Sequence, residues 1–472
     1  MLQKKWLTLL LILHICLHAS GQSIPDISGI WQGTLSVGVN LRVVFHIEEA
    51  DGIYFTSMDS PDQGVEDIPC SGTFVTEDSL IILVEVLHGE FRGVLNKQGE
   101  SAKGVWTQNG AHFPLTISKV DSVIGPPRPQ MPKEPYPYTE KEIHFENFTD
   151  GVTLGATLTI PPGEGPFPAV ILVTGSGPQD RNEFLLGHAP FLVLADHMTR
   201  NGIIVLRYDD RGVGESTGNF QTATTLDFAR DADAAVQYLN KHAEEYHINK
   251  IGVAGHSEGG LIAPMVAVDD SLVDFIVLLA GPGLRGDSIL QMQQRLILQR
   301  SGIHADLIAK YGKLQKAMID IAETEKDLDS VSKHIIALQK EFIRNASAIE
   351  LIALGISKDD TLNAPVDFYA TPWMQFFLSY DPAATLEKVR VPVLAINGKN
   401  DLQVPCDANL EAIEKALQQG NNTQYKTVAI PRLNHLFQTS ATGLPGEYGN
   451  IEETFNAGAM QIVSDWILGL ER

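Results

Sequence analysis

The chain has 472 residues, 44% apolar and 20% charged, which excludes a disordered protein and suggests two or three globular domains rather than one. Its 58 acidic residues outnumber 35 basic ones, and the net charge of −23 excludes a surface built to hold nucleic acid or anionic lipid. No Cys/His cluster has metal-ligand spacing and no Gly-x-x-x-x-Gly-Lys loop is present, so neither a metal nor another cofactor is expected.

The first residues read as a targeting segment. Lys4 and Lys5 precede an apolar run from Trp6 to Leu17, and Ala19-Ser20-Gly21 supplies small residues before Gln22. A cleavable signal over residues 1–21 is expected, too short to span a bilayer, which makes the mature chain secreted or periplasmic. The alternative is a lipid anchor on Cys16, disfavoured because Ile15 is larger than the usual residue at that place. Loss of Lys4 and Lys5 takes the net charge from −23 to −25. No second apolar run reaches membrane length, so no integral span is expected. Cys70 and Cys406 remain, far apart in the chain, and read as buried free thiols rather than a disulfide.

Residues 23–120 read as an all-β domain. Gly29–Leu35, Leu41–Ile47 and Asp78–Val86 alternate or run apolar over strand lengths, and Asp51-Gly52, Lys97-Gln98-Gly99 and Gln108-Asn109-Gly110 supply turns. Gly29-x-Trp31 at the start of a small antiparallel barrel resembles the opening of lipocalin-like domains. The expected role is structural, because no convergent polar set marks a ligand site. Residues 121–140 form a linker, with prolines at 126, 127, 129, 132, 135 and 137 that make it extended and semi-rigid.

From Lys141 to the C-terminus, strands alternate with helices. Lys141–Phe148 and Gly151–Ile160 read as antiparallel strands. Residues 169–173, 203–207, 250–254, 275–279, 391–396 and 426–430 are mostly continuous apolar runs, as strands buried on both faces require. Pro190–Asn201, Thr225–Tyr246, Glu258–Val268 and Phe455–Leu470 read as helices, giving a doubly wound α/β architecture. The alternation lapses between Ala280 and Val391. Ser288–Arg300, Ala305–Glu323, Asp327–Ala346 and Ser347–Gly355 carry helical spacing instead, and a helical cap over residues 284–386 is expected on the edge where open α/β sheets bind ligands. Pro372-Trp373-Met374-Gln375-Phe376-Phe377 ends it, and Trp373, Phe376 or Phe377 is a candidate wall of an acyl pocket.

The chemistry centres on Ile251-Gly252-Val253-Ala254-Gly255-His256-Ser257-Glu258-Gly259-Gly260. An apolar strand runs into Gly-x-Ser-x-Gly and then a helix, the context that presents a serine on a strained turn. With Ser257 as nucleophile, the order serine, acid, histidine selects Asp401 and His435. Asp401 follows the 391–396 strand, with Asp407 as a competitor. His435 follows the 426–430 strand and is the sole histidine after Asp401. His435 would take the serine proton and Asp401 would fix its tautomer. The oxyanion donors expected are the backbone N–H groups of Glu258 and Ser176, the second in the loop Thr174-Gly175-Ser176-Gly177.

Gly255-His256-Ser257-Glu258-Gly259-Gly260, Thr174-Gly175-Ser176-Gly177, Tyr208-Asp209-Asp210-Arg211-Gly212-Val213-Gly214-Glu215-Ser216, Asn397-Gly398-Lys399-Asn400-Asp401 and Leu433-Asn434-His435 together resemble the α/β-hydrolase superfamily. The arrangement is similar to its secreted bacterial carboxylesterases with an N-terminal β domain and a helical cap. The resemblance covers residues 141–472 and implies a structural role for the 209–216 turn. Many relatives have His-Gly where this chain has Thr174-Gly175.

Three functions compete. The first is a serine carboxylesterase acting on a small-molecule ester through an acyl-enzyme. The second is a peptidase or aminopeptidase on the same triad, which would need an acidic cluster to hold an amine, such as Glu323-Thr324-Glu325. The third is an envelope ligand-binding protein whose hydrolase domain is inert.

Overall fold

The computed structural model describes residues 25–36, 40–61, 65–76, 78–108, 110–123, 125–356, 366 and 368–470. The expected signal segment and Cys16 lie outside them. The chain forms two compact units, Met1–Ile124 and Gly125–Arg472.

The first unit is one antiparallel sheet of nine strands: β1 Gly29–Ser36, β2 Asn40–Ala50, β3 Ile53–Ser60, β4 Val65–Pro69, β5 Gly72–Val75, β6 Ser79–Val84, β7 Gly89–Leu95, β8 Ser101–Gln108 and β9 Ala111–Val120. Their order is β4-β3-β2-β1-β9-β8-β7-β6-β5. Strand β6 alternates half-buried and buried residues, as a sheet with one covered face demands. The covered face is filled with rings. Trp31 pairs across to Phe45 and Phe91 to Trp106, and all four are at most 1% exposed. The Trp31 indole N–H, deep in this core, donates to Ile27 O at 2.7 Å, which satisfies its one polar group. The sheet curls until its two ends approach. Cys70 N donates to Thr56 O, and the Thr56 and Thr73 hydroxyls lie 2.7 Å apart. A barrel of this size closes around side chains rather than a lumen.

The second unit holds eight strands: β10 Thr139–Asn147, β11 Val152–Ile160, β12 Phe167–Val173, β13 Ile204–Tyr208, β14 Ile248–His256, β15 Phe275–Leu279, β16 Val393–Gly398 and β17 Tyr425–Ile430. Their order is β10-β11-β13-β12-β14-β15-β16-β17. The first two are antiparallel to their neighbours and the rest run parallel. Every residue of β13, β15 and β16 is buried, which accounts for their largely apolar sequences, unbroken in β15 and interrupted by Arg207 in β13 and Asn397 in β16. Helices Pro190–Arg200 and Ala457–Gly469 cover one face through Phe191, Leu194, Met198, Met460 and Val463. Thr225–Lys241, Gly259–Asp269 and Cys406–Gln419 cover the other through Val236, Leu239, Leu261, Ile262 and Ile413. This is the α/β-hydrolase fold. From β12 the chain goes first to β13 on one side and later to β14 on the other, so the loops after these strands diverge and leave a crevice at their C-terminal ends.

Several boundaries differ from the sequence reading for physical reasons. Strand β16 begins at Val393 rather than Val391, since Pro392 has no N–H for the ladder. The helix expected over 225–246 breaks at His242, and a single turn, Ala243–Tyr246, follows before His247 reverses the chain at φ 54°. The proline-rich segment is anchored to the second unit. The Arg128 guanidinium donates to the carbonyls of Leu186, Gly187, Gly449 and Ile451, and Gln130 bonds the backbone of Thr454 and Phe455.

Between β15 and β16 lie helices Gly286–Arg300, Ala305–Thr324, Leu328–Asn345, Ala348–Ala353, Pro372–Ser379 and Pro382–Leu386. Met318, Ile319, Val331, Ile335, Met374 and Leu378 join their apolar faces to the core on one side of the sheet. Residues 357–365 and 367 of the expected cap lie outside the described part. Cys70 and Cys406 are both free thiols, and burial pushes each up to about 12. Among the described residues no helix is long and apolar enough to cross a membrane, and no cluster of three or more His, Cys, Asp or Glu could hold a metal.

Candidate active site

Strand β14 ends at His256, and Ser257 turns the chain at φ 52° into the helix Gly259–Asp269. A non-glycine residue at positive φ is strained, and here the strain is held on both sides. Ser257 N donates to Leu279 O at 2.9 Å, tying the turn to the end of β15. The flanking glycines are steric necessities. A Cβ on Gly255 would sit 1.9 Å from Gly259 O, and one on Gly259 would sit 2.3 Å from Val173 O. Either would force the strand and helix apart and displace the serine between them.

Asp401 lies beyond β16, buried in a turn that directs its carboxylate inward. Oδ1 accepts from the backbone N–H groups of Gln403 and Val404 at 2.8 and 2.9 Å. Oδ2 is 2.8 Å from His435 Nδ1. A carboxylate accepts, so Nδ1 carries the hydrogen and Nε2 is the nitrogen available as a base. The competing Asp407 is elsewhere: its side chain is 76% exposed and pairs with Lys399. The loop carrying His435 is stiffened by Asn434, whose Oδ1 accepts from Leu436 N and Gln438 N. His435 is brought to the elbow through its backbone, since His256 Nε2 lies 3.0 Å from His435 O and the two rings are 4.8 Å apart.

The loop after β12 completes the ring of elements. Gly175 is close enough to the elbow that a Cβ on it would lie 3.3 Å from that of Ser257. The neighbouring Ser176 is exposed. Among the described residues, neither the Ser176 nor the Glu258 N–H donates to a protein acceptor. This loop is braced by the turn after β13. Arg181 bonds Asp209 through Nη2 at 2.7 Å and also reaches Glu215 and Glu142. Asp210 accepts from the Thr174 hydroxyl and from Gln179 N. Asp209 is held below the usual carboxylate range: burial pushes it up, but its bonds to Arg181 and nearby N–H groups win. The 209–216 turn is thus the scaffold of the Thr174–Arg181 loop.

Two residues beside the serine have contacts that local sequence pattern does not signal. Glu258 is 4% exposed, and its Oε1 accepts from the Thr225 hydroxyl at 2.6 Å and the Trp373 indole N–H at 2.7 Å. Burial raises its pKa above the ordinary value, and those two bonds oppose the rise without cancelling it. The bond to Trp373 fixes the end of the cap against the elbow. Trp373 stacks on Phe377 at 5.2 Å, and Phe376 stacks on Tyr380 at 5.5 Å. Trp373 is therefore the one of the three candidate aromatics joined directly to the residue after Ser257. The second residue is Glu183, at φ 53° and 3% exposed, whose Oε1 accepts from Gly175 N at 2.9 Å and lies 2.7 Å from His256 Nδ1.

Residues 189–340 match the family described as serine aminopeptidase, S33. Esterase EstD of Thermotoga maritima is 27% identical over 303 residues, 64% of this chain and 61% of that protein. The chain thus spans about three-fifths of the length of the curated relative it matches. Among solved structures, an esterase of Pyrococcus furiosus is 16% identical with a TM-score of 0.39, over 66% of this chain and 90% of that one. The proline iminopeptidase of Mycobacterium smegmatis is 15% identical with a TM-score of 0.40, over 70% and 98%.

Proposed function

We propose that this chain, whose second unit has the α/β-hydrolase fold, is a serine carboxylesterase with Ser257, His435 and Asp401 as its triad. The carrying observation is the 2.8 Å pair of His435 Nδ1 and Asp401 Oδ2 in a loop bonded to the residue before a serine held at φ 52°. Likeness to Esterase EstD supports the choice of ester over other acyl groups.

The chemistry follows from these positions. Ser257 Oγ attacks the ester carbonyl carbon while its proton passes to His435 Nε2. Asp401 stabilises the imidazolium that forms and keeps the ring in the reactive tautomer. The carbonyl oxygen becomes an oxyanion and takes the backbone N–H groups of Glu258 and Ser176, the two donors we assign to it. When the C–O bond breaks, the alcohol leaves with the proton from His435 and the acyl group stays on Ser257. Water then attacks the acyl-enzyme, losing its proton to His435, which passes it to Ser257 Oγ as the acyl C–Oγ bond breaks and the acid is released.

An aminopeptidase reading draws on the family matched by residues 189–340. It needs an unengaged carboxylate to bind the substrate's amine. Glu258 is tied to Thr225 and Trp373, Glu323 pairs with Arg285, and Glu325 meets His334 at 2.7 Å. A binding-protein reading finds no support in the barrel, whose interior is taken up by Trp31, Phe45, Phe91 and Trp106.

The test is kcat/KM on nitrophenyl esters of increasing acyl length, with aminoacyl anilides alongside. Each methylene buried should contribute about 0.8 kcal/mol until the pocket is full, after which activity drops. Trp373→Ala should move the optimum to longer chains. Preference for anilides over every ester would overturn the esterase reading, and an unchanged optimum would remove Trp373 from the pocket.

A further inference from the structure

We propose that Glu183 and His256 are positioning residues, a buried ion pair that holds the oxyanion loop, the nucleophile elbow and the loop of the base in one register. The inference rests on reading Ser257, His435 and Asp401 as the triad. Neither residue touches the reacting atoms. Each acts through a main-chain group that does, or that adjoins one.

The proton count at His256 carries the argument. Its Nε2 lies 3.0 Å from His435 O, and a carbonyl can only accept, so Nε2 bears hydrogen. Its Nδ1 lies 2.7 Å from Glu183 Oε1, which also accepts the Gly175 N–H at 2.9 Å. In the proposed pair the oxygen that accepts the Gly175 N–H accepts from the ring as well, so Nδ1 bears hydrogen and the imidazole is cationic beside its carboxylate. Burial alone would lower the pKa of this ring. The charge and hydrogen bond of Glu183 outweigh burial and raise it. Both groups are within 5% of full burial, where an unpaired charge would be costly and a paired one is stiff.

One carboxylate oxygen and one ring therefore join three chain segments. Gly175 precedes Ser176, the proposed oxyanion donor. His256 precedes Ser257. The carbonyl bonded by His256 belongs to the base itself. Glu183 reaches this place from a backbone held at φ 53°, in the left-handed region that a glutamate rarely adopts. The surrounding bonds hold it there: Asp180 O accepts from Glu183 N at 2.9 Å, and Arg181 fixes the same loop to Asp209. A glutamine at 183 cannot replace the pair. Without the carboxylate the ring is neutral, Nδ1 becomes an acceptor, and the amide NH2 must turn to meet it. Gly175 N–H then faces a donor instead of an acceptor.

The experiment compares wild type, Glu183→Gln, His256→Gln and the double variant for kcat, KM and the rate at which an organophosphonate labels Ser257. Wild-type labelling at Ser257 tests the triad reading first; its failure overturns that reading and this inference with it. Given labelling, Glu183→Gln should lower kcat by about 10- to 100-fold with KM within about threefold, because misplaced groups bind substrate but react poorly. The labelling rate should fall in parallel while thermal unfolding stays cooperative. The double variant should be no slower than the slower single one, since both break one unit. Should Glu183→Gln fail to fold, His256→Gln, which keeps an amide donor for His435 O, is read by the same criteria. Wild-type kcat in a folded variant, a loss confined to KM, or additive losses in the double variant overturns the inference and leaves the triad reading standing.

Discussion

The two sheets bury their residues under different rules. The first covers one face and spends its large side chains on that interior, where Trp31, Phe45, Phe91 and Trp106 meet. The second covers both faces, so its central strands are buried along their whole length and mostly apolar, and the residues of the proposed site lie in the loops beyond their C-terminal ends. Gly175 and Ser176 follow β12, Ser257 follows β14, Asp401 follows β16 and His435 follows β17. In the first unit a side chain matters by its volume. In the second, the residues proposed for the site would act through one polar atom or one backbone N–H.

That contrast can be broken most forcefully in the barrel. Trp31→Ala removes a fully buried ring and its bond to Ile27 O, and should cost the first unit about 3–5 kcal/mol. Denaturant unfolding should show the first unit melting earlier, while phosphonate labelling of Ser257 keeps its wild-type rate. A labelling rate that falls with barrel stability would show that the first unit supports the chemistry.

A smaller effect sharpens the contrast inside the second unit. The carboxyl of Glu258 has its pKa raised by burial from an ordinary value of 4.5. The folded chain therefore holds that proton more tightly than the unfolded chain. Below about pH 4.5 both states are protonated and nothing is lost. As pH rises past that value the unfolded state ionises first and stability falls until the folded group ionises too. Glu258→Gln keeps an acceptor for Thr225 and Trp373 and has no proton to lose. Its Tm should exceed that of wild type by a margin that grows from pH 4 to pH 8. A margin that shrinks over this range would contradict a raised pKa at Glu258.

Much of this was legible in the sequence where partners are local. Apolar runs, broken only by Arg207 in β13, marked β13 and β15, and helical spacing marked the Ala305–Thr324 and Leu328–Asn345 helices within a residue or two. Chain order drew attention to Asp401 and His435, which the fold brings to 2.8 Å. Chain order could not separate Asp401 from Asp407; in the fold Asp401 meets His435 and Asp407 is exposed beside Lys399, which supports proposing Asp401. Glu183 and the side-chain role of Glu258 were not legible. Glu183 finds His256 across 73 positions and Glu258 finds Trp373 across 115, and no periodicity links residues so far apart. An acid in a glycine-rich loop reads as solvated until a buried base is seen opposite it. A structural role for the 209–216 turn was implied by the family resemblance alone, and its function as a brace became visible with the bonds from Arg181 to Asp209 and from Thr174 to Asp210.

In the proposed mechanism one serine, Ser257, strained at the end of β14, is the nucleophile. Peptide mass spectrometry of the phosphonate-treated protein tests it most directly. A single adduct on the peptide carrying Ser257, absent from Ser257→Ala, is the predicted result. An adduct on another residue, or labelling that persists in Ser257→Ala, would contradict it.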